Sequence, residues 1–294
     1  MYICIVKIAG FSFIRNAVTY DYPIVEALQS ILPVCDEIYV AVGKSEDNTV
    51  ELVANVDRQK IKIVETVWDE SLREGGKVLA LETNKAFQAI PNEYDWCFYI
   101  QGDEVFHENG LEKMHGLLKS NLDNYRVEGF LVDYLHHYGS YDYIATSRNW
   151  YRNEIRVIRN NKEITSWKDA QGFRWHNERK LAVKSSGTVM HHYGWVKNPE
   201  KQVLKQKNFS RYWHDDKWLL ENTKNSFDYS EIDYLELFKG THPKMMERRI
   251  SEKNWKFEYD LSKDKRTLRV KCLDTITKYT GISLFEYKNY RLIR

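Results

Sequence analysis

The sequence predicts an α/β protein, with a mixed, mainly parallel sheet flanked by helices and a helical C-terminal extension. Strand-like and helix-like patterns alternate through the first hundred residues, which is typical of parallel strands joined by crossover helices. From Pro199 onward the apolar spacing becomes helical. The chain has 294 residues, 43% of them hydrophobic, enough for one large core with an appendage. We therefore expect one domain at 1–197, in two halves at 1–108 and 109–197, with a helical region at 198–294 docked on it.

The elements of the N-terminal half are predicted from local patterns. An apolar run opens the chain, and prolines at 33 and 91 close two helical patterns. Asp47 or Asn48 is suited to cap another helix. The predicted order is strand 2–8, helix 24–32, strand 37–42, a helix ending at 56, strand 60–64, helix 78–90 and strand 96–100.

The remaining chain is predicted to hold short strands and then helices. No Pro/Gly-rich linker or internal repeat separates the two parts, so the helices should dock on the first unit. The predicted order is helix 109–122, strands 129–134, 154–158, 181–184 and 188–192, and helices 201–214, 218–222, 234–238, 243–253 and 267–279.

Composition excludes several classes of protein. A formal charge of +2, from 44 basic and 42 acidic residues, gives no overall attraction to nucleic acid. The four cysteines form no CxxC pair, so we expect neither a metal cluster nor a disulfide framework, but reduced, mostly buried thiols in a cytoplasmic protein. The first ten residues turn polar too soon for a signal peptide, and no apolar span of 18 residues predicts a transmembrane helix.

Two carboxylates follow the apolar run at 96–100. This run reads as a strand buried on both faces, and Asp103 and Glu104 follow it directly. In α/β proteins ligands bind at the carboxyl ends of such strands. The alternative is a turn in which Asp103 only caps the helix that begins near Asn109. The stretch alone leaves both interpretations open.

An ordered series of motifs resembles a known family. The segments are IVKIAG, SILPVCDEIYVAVGKSEDNT, VWDE, NKAF and YIQGDE. Together, over roughly residues 1–195, they resemble the metal-dependent GT-A fold glycosyltransferases of the family-two type. The resemblance implies that 1–108 binds a nucleotide sugar and that 109–197 faces the acceptor. It also implies that a DxD motif holds Mn²⁺ or Mg²⁺ against the diphosphate. The metal ion neutralises the charge of the diphosphate.

The resemblance assigns roles in donor binding. Asp103 becomes the metal ligand and Glu104 a neighbouring contact, while Gln101 stands where the family has its first acid and can bind the nucleotide. Asp69 matches a position that commonly faces the base, with a surface turn as the alternative. Ala9 and Lys77 complete the implied nucleotide-sugar contacts. Asp47 is better explained as a helix cap than as a nucleotide contact.

The resemblance also implies a general base and a histidine ligand. The acceptor hydroxyl must lose its proton as it attacks, and a carboxylate in a cleft suits that task. Glu178 is the first candidate and Asp169 the second, and either can instead be a solvated loop acid. Adjacent residues of a strand face opposite ways, so only one of His191 and His192 can enter the site. We favour His191 as the metal or diphosphate contact, with His192 close behind.

The predicted function is therefore transfer of a sugar from a UDP-, GDP- or dTDP-sugar to a hydroxyl of a glycan or lipid-linked saccharide, with inversion by single displacement and a carboxylate base. A non-catalytic glycan- or nucleotide-binding protein is the alternative, and a sugar nucleotidyltransferase is disfavoured because a Gly-rich phosphate loop is missing after the first strand. Nucleic-acid binding is not expected. Peripheral membrane contact and a plain solvated face are both open for seven basic residues: Arg248, Arg249, Lys263, Lys265, Arg266, Arg269 and Lys271.

Overall fold

A computed structural model describes residues 6–222 and 226–294 of the chain. Eleven of its strands form one mixed sheet, and three form a small antiparallel sheet. Helices cover both faces of the large sheet, so the predicted α/β class is confirmed. The strands are β1 Ile8–Ile14, β2 Glu37–Gly43, β3 Ile61–Thr66, β4 Trp96–Tyr99, β5 Glu104–Phe106, β6 Gly129–Tyr138, β7 Ser140–Ala145, β8 Asn153–Arg159, β9 Ile164–Trp167, β10 Gly172–Trp175, β11 Arg179–Lys180, β12 Ala182–Trp195, β13 Glu236–Leu237 and β14 Arg291–Leu292.

The first four strands are parallel, in the order β3-β2-β1-β4. Both faces of this part are buried. Trp96 and Phe98 pack into a core on one face, and Cys97 and Tyr99 into a core on the other. A strand covered on both sides needs apolar residues at every position, which explains the unbroken run before Gln101. The helices of the chain are α1 Ile24–Ile31, α2 Thr49–Ala54, α3 Lys77–Gln88, α4 Leu111–Ser120, α5 Pro199–Ser210, α6 Asp216–Asn222, α7 Glu247–Ser251 and α8 Leu268–Thr280.

The prediction for the first strand was wrong in position. Residues 1–5 lie outside the described part of the chain, and β1 runs from Ile8 to Ile14 instead of ending at residue 8. Gly10 lies inside the strand. A larger residue would not fit there, because its Cβ would stand 2.8 Å from Ile38 Cγ1 of the neighbouring strand. The glycine permits close packing of β1 against β2, and the strand continues through it. The carboxyl end of β1 is therefore six residues further along the chain.

The second half of the sheet is built around β6 and β12. Strand β8 lies between β4 and β6 and is antiparallel to both. Strand β12 runs parallel to β6 along its length, with register shifts between Ser185 and Val189 and between His192 and Trp195. The two short strands predicted at 181–184 and 188–192 are thus parts of one long strand, because the irregular turn around Gly187 does not end the pairing.

The C-terminal region adds two short strands to the large sheet besides its helices. Strand β13 pairs with β7, and β14 pairs with β12. The helix predicted at 234–238 was wrong, since these residues include β13. The helix predicted at 243–253 is a short 3₁₀ turn followed by α7.

The basic residues of the C-terminal region are largely engaged in ion pairs. Arg249 contacts Asp21 and Glu26, and Arg266 contacts Asp264 and Asp274. Peripheral membrane contact by the basic residues stays a prediction, with a plain solvated face as the alternative. Within residues 6–222 and 226–294, no helix has the length and apolar character needed to cross a membrane.

Candidate functional site

A cavity of about 230 Å³ lies at the carboxyl ends of β1 and β4, between the sheet and α5. We call it the central cavity. Its aromatic lining is Phe13, Tyr22, Trp68, Tyr151, Trp195, Phe209 and Tyr212, and its polar lining includes Arg15, Gln101, Asp103, Glu154, Arg156, Asp169, Gln171, His192 and Lys205. Parallel strands bring their carboxyl ends to one edge, so the position of this cavity follows from the topology.

Asp103 lies on the floor of the central cavity and is bound by a cation from α5. Lys205 Nζ donates to Asp103 Oδ2 and to the carbonyl of Gly194, both at 2.9 Å. Burial opposes ionisation, but the Lys205 ammonium outweighs it and holds the pKa of Asp103 well below its usual range. Asp103 is thus a largely buried carboxylate, with 14% of its side chain exposed, that stays charged at neutral pH.

His192 faces Asp103, and His191 does not. The Nε2 atom of His192 is 3.9 Å from Asp103 Oδ2, and its Nδ1 is 3.1 Å from Nδ1 of His136 on β6. Burial lowers the pKa of His192 to about 4, so the ring is neutral at pH 7 and able to act as a ligand. His191 points to the opposite face of β12, as strand alternation requires. The structure therefore places the second choice, His192, beside Asp103.

Glu104 is buried in an ion pair. Arg156 on β8 donates to both of its carboxylate oxygens, at 2.7 and 3.0 Å, and Tyr134 OH donates at 2.6 Å. The backbone N–H of Gln101 donates to it as well, at 3.0 Å. All these bonds fix the turn that follows β4. Glu104 thus holds Gln101 and Asp103 in place, and its two oxygens are engaged by protein groups.

Asp169 lies in the wall of the central cavity on a strained loop. Its neighbours Lys168 and Ala170 both have positive φ, at 55° and 64°, which costs free energy for residues with a Cβ. The side chain of Gln101 donates to the carbonyl of Ala170 at 3.3 Å and holds the loop. Burial raises the pKa of Asp169, and its Oδ1 is buried without a hydrogen bond among the described residues.

Glu154 is a site residue that the sequence analysis missed. It lies on β8, two residues before Arg156, and its carboxyl group enters the central cavity. Burial raises its pKa to about 8, with further contributions from the charges of Glu104 and Asp169, against the opposing effect of Arg156. Its Oε2 has no hydrogen-bond partner within the described chain. The only signal in the sequence was that Glu154 is an acid inside a predicted strand. It lies two residues from Arg156, so the two side chains are on the same face of the strand.

Four other predicted residues lie away from the central cavity. Ala9 is fully buried near the start of β1, because the strand ends later than predicted. Asp69 is exposed and accepts hydrogen bonds from the backbone and hydroxyl of Ser71 in a surface turn. Lys77 is exposed and pairs with Glu74, and Glu178 is exposed in the turn between β10 and β11. None of the four lines the cavity.

Aromatic and basic side chains fill the place at the end of β1 that was expected for Ala9. Phe13 and Trp68 have ring centroids 5.9 Å apart, and the Arg15 guanidinium lies 5.8 Å from the Trp68 ring. Gly43 at the end of β2 leaves room for the indole, which a Cβ there would overlap. Asp47 accepts hydrogen bonds from the backbone and hydroxyl of Thr19, at 2.8 Å each, so its role is structural, but the residue at the N-cap of α2 is Asn48 and not Asp47.

The donor atoms at the floor fit one divalent cation. An ion ~2.1 Å from each of two ligands can join donors up to about 4.2 Å apart, and Asp103 Oδ2 and His192 Nε2 are 3.9 Å apart. Two protein ligands would leave other coordination positions open for oxygen atoms of a bound molecule. Gln101 brings no charge here, and the ammonium of Lys205 lies 2.9 Å from Asp103 Oδ2.

Neither a protein-family model nor a curated protein matches the sequence. Part of the chain is similar to solved structures. Glucosyl-3-phosphoglycerate synthase from Mycobacterium tuberculosis, in complex with Mg²⁺ and uridine diphosphate, aligns with 17% identity and a TM-score of 0.31, over 45% of this chain and 44% of that chain. S. aureus TarS 1–349 aligns with 15% identity and a TM-score of 0.38, over 69% and 64%. The chain thus spans less than half the length of the synthase.

Proposed function

We propose that the protein is a GT-A-type glycosyltransferase that takes a sugar from a nucleoside diphosphate donor. The observation that carries the proposal is the central cavity, where a charged Asp103, a neutral His192 and a buried Lys205 share one floor. Two further carboxyl groups, Asp169 and Glu154, lie in the same cavity. A diphosphate leaving group needs positive charge at its oxygens, and attack by a hydroxyl needs a base.

The donor end of the proposal rests on the floor and the aromatic wall. Asp103 and His192 would hold the divalent cation, which supplies charge neutralisation to the departing diphosphate. The Lys205 ammonium has three N–H donors, and two of them bond Asp103 and the carbonyl of Gly194. The third would be able to donate to the same diphosphate oxygens. Trp68, Phe13 and Arg15 offer ring faces and a guanidinium for the base and the phosphates.

The acid and base roles are assigned from the positions of the two carboxyl groups. With a pKa of about 8, Glu154 holds its proton at neutral pH and would be able to donate a hydrogen bond to a bound substrate. Asp169 is the proposed base that accepts the proton of the attacking hydroxyl, because it lines the cavity and its Oδ1 has no hydrogen bond among the described residues. Direct attack with one base implies inversion at the anomeric carbon. Asp169, the second choice from sequence, replaces Glu178 in this role because Glu178 is exposed outside the cavity.

The acceptor would enter from a second cavity beside the first. This cavity has a volume of about 610 Å³ and shares Trp195 and Gln206 with the central cavity. Its wall includes the aromatic rings of Tyr138, Trp150 and Trp218. Aromatic faces with neighbouring polar groups suit a saccharide, so a glycan or a lipid-linked saccharide is the proposed acceptor class.

A non-catalytic nucleotide- or glycan-binding protein is the second candidate. The ion pair between Lys205 and Asp103 favours it, because the ammonium lies close to the carboxylate that would otherwise bind the metal. The two buried carboxyl groups with raised pKa values favour the enzyme, since a binding site gains nothing from an unpartnered acid.

Donor binding is tested by thermal shift. UDP, GDP, CDP and dTDP are each added with and without Mn²⁺ to the wild type, to Asp103→Asn and to Asp69→Asn. We expect one nucleotide to raise the melting temperature with Mn²⁺ in the wild type and in Asp69→Asn, whose side chain is exposed outside the cavity, but not in Asp103→Asn. No shift with any nucleotide would refute the donor site.

Catalysis is tested separately, by slow hydrolysis of the nucleotide sugar that binds. Asp169→Asn should lower turnover by roughly 100-fold or more while leaving nucleotide binding intact, because it removes only the base. Glu178→Gln is the matched control and should behave as the wild type. Unchanged turnover in Asp169→Asn would exclude this base, and nucleotide binding without turnover in the wild type would support the binding-protein alternative.

A further inference from the structure

A second group of histidines lies on the face of the sheet opposite Asp103. Strands β6 and β12 each carry two adjacent histidines, and each pair divides between the faces. His136 and His192 meet on the side of the central cavity, and His137 and His191 meet on the other side. The loop before α7 adds His242 to the second pair. One nitrogen from each of His137, His191 and His242 lies within 4.8 Å of the other two.

The three rings are tightly packed. His137 Nε2 is 2.9 Å from His191 Nδ1, and Tyr193 OH is 2.8 Å from His242 Nδ1 and 3.4 Å from His191 Nδ1. His137 and His191 are buried, and His242 is partly buried. Phe238 packs beside the group, with its ring close to perpendicular to those of His137 and His191. Water has little access to these nitrogens.

The hydrogen bonds of this group leave one buried nitrogen without a close partner. A neutral imidazole has one N–H and one acceptor nitrogen, so a pair of facing rings uses one donor. The Nδ1 of His137 is buried and makes no hydrogen bond of ordinary geometry among the described residues, although the backbone of Tyr141 lies near the ring. Imidazole nitrogens brought together in this way are ligands that transition metals favour.

We propose that His137, His191 and His242 bind a Zn²⁺-like transition metal ion, as a site separate from the central cavity. Nitrogen ligands ~2.0–2.1 Å from a tetrahedral ion stand about 3.3 Å apart, which lies between the shortest separation of 2.9 Å and the 4.8 Å limit. Neutral imidazole favours Zn²⁺ and its neighbours over Mg²⁺ or Ca²⁺. Tyr193 OH lies against two of the rings and would either orient them or occupy the fourth position.

The consequence of this site is a link between the sheet and the C-terminal region. His137 and His191 belong to strands of the sheet, whereas His242 comes from the loop between β13 and α7. Thr241 in the same loop is 2.9 Å from Nε2 of His107, whose ring lies 5.4 Å from that of His191. An ion held by ligands from both parts stabilises their docking, as structural zinc does when its ligands come from separate segments. The proposal does not depend on the donor site.

The test uses the full chain, stripped of metal with a chelator and titrated with Zn²⁺ against a chromophoric competitor and with Co²⁺ by visible absorption. We expect one ion per chain in the wild type and in Asp103→Asn, which lacks the carboxylate of the other site. His242→Asn should lose this ion, and His176→Asn, which changes an exposed histidine, should keep it. Tyr193→Phe should bind roughly 10- to 100-fold more weakly if the hydroxyl orients the ligands.

Melting curves show whether the variants remain folded. Zn²⁺ should raise the melting temperature of the wild type and of Asp103→Asn, and should not raise that of His242→Asn. His137→Gln is a second ligand variant that gives the same answer if His242→Asn fails to fold. The proposal is overturned if the wild type takes up neither ion, or if folded His242→Asn or His137→Gln binds the ion as tightly as the wild type.

Discussion

The raised pKa of Glu154 predicts how the stability of the protein depends on pH. Its carboxyl group has a pKa of about 8 in the folded chain, against 4.5 for an ordinary glutamic acid. Between these two values the folded protein keeps a proton that the unfolded chain releases. The free energy of unfolding therefore falls as the pH rises through this window.

The magnitude follows from the size of the pKa shift. Each pH unit inside the window costs about 1.36 kcal/mol for one proton. From pH 5.5 to pH 7.5 the contribution of Glu154 falls by about 3 kcal/mol. Glu154→Gln keeps the shape of the side chain and removes the titration, so its stability should lack this component of the pH dependence.

The assay is urea unfolding, followed by circular dichroism, of the wild type and Glu154→Gln at both pH values. Each protein has other titrating groups, but these cancel in the difference between the two proteins. We expect Glu154→Gln to gain about 3 kcal/mol relative to the wild type on going from pH 5.5 to pH 7.5. An equal difference at both pH values would show that Glu154 does not hold its proton and would refute the role assigned to it. Glu178→Gln serves as an exposed control and should show no such gain.

Three further predictions concern the residues around the central cavity. Lys205→Met leaves Asp103 buried without its cation and should cost about 3–5 kcal/mol in urea unfolding, while Mn²⁺ should raise the melting temperature more than in the wild type. An equal Mn²⁺ effect in both proteins would contradict competition between the ammonium and the metal. Glu104→Gln leaves a buried guanidinium without its carboxylate, for a similar loss of about 3–5 kcal/mol; a loss below about 1 kcal/mol would mean that the ion pair contributes little. Gly43→Ala forces Trp68 aside and should shift its fluorescence and weaken nucleotide binding, and unchanged fluorescence would contradict the close contact.

Local patterns were sufficient where a residue's environment depends on its own segment. The unbroken apolar run at 96–100 indicated a strand buried on both faces, and the structure has β4 there with Asp103 just beyond it. The first strand shows the limit of the same method. The predicted strand ended at residue 8, and only the packing of Ile38 against Gly10 shows how the strand continues through the glycine.

The order of the strands and helices in the first hundred residues, and a carboxylate at the end of the fourth strand, were determined by the sequence alone. Periodicity is local, so these features needed no knowledge of distant contacts. The tertiary structure decided which residues meet at the site. Lys205 reaches Asp103 from α5, Glu154 enters from an antiparallel strand, and the register of β12 turns His192 rather than His191 toward the cavity. Such contacts join segments far apart in the chain, and a shift of one residue in a strand exchanges its two faces.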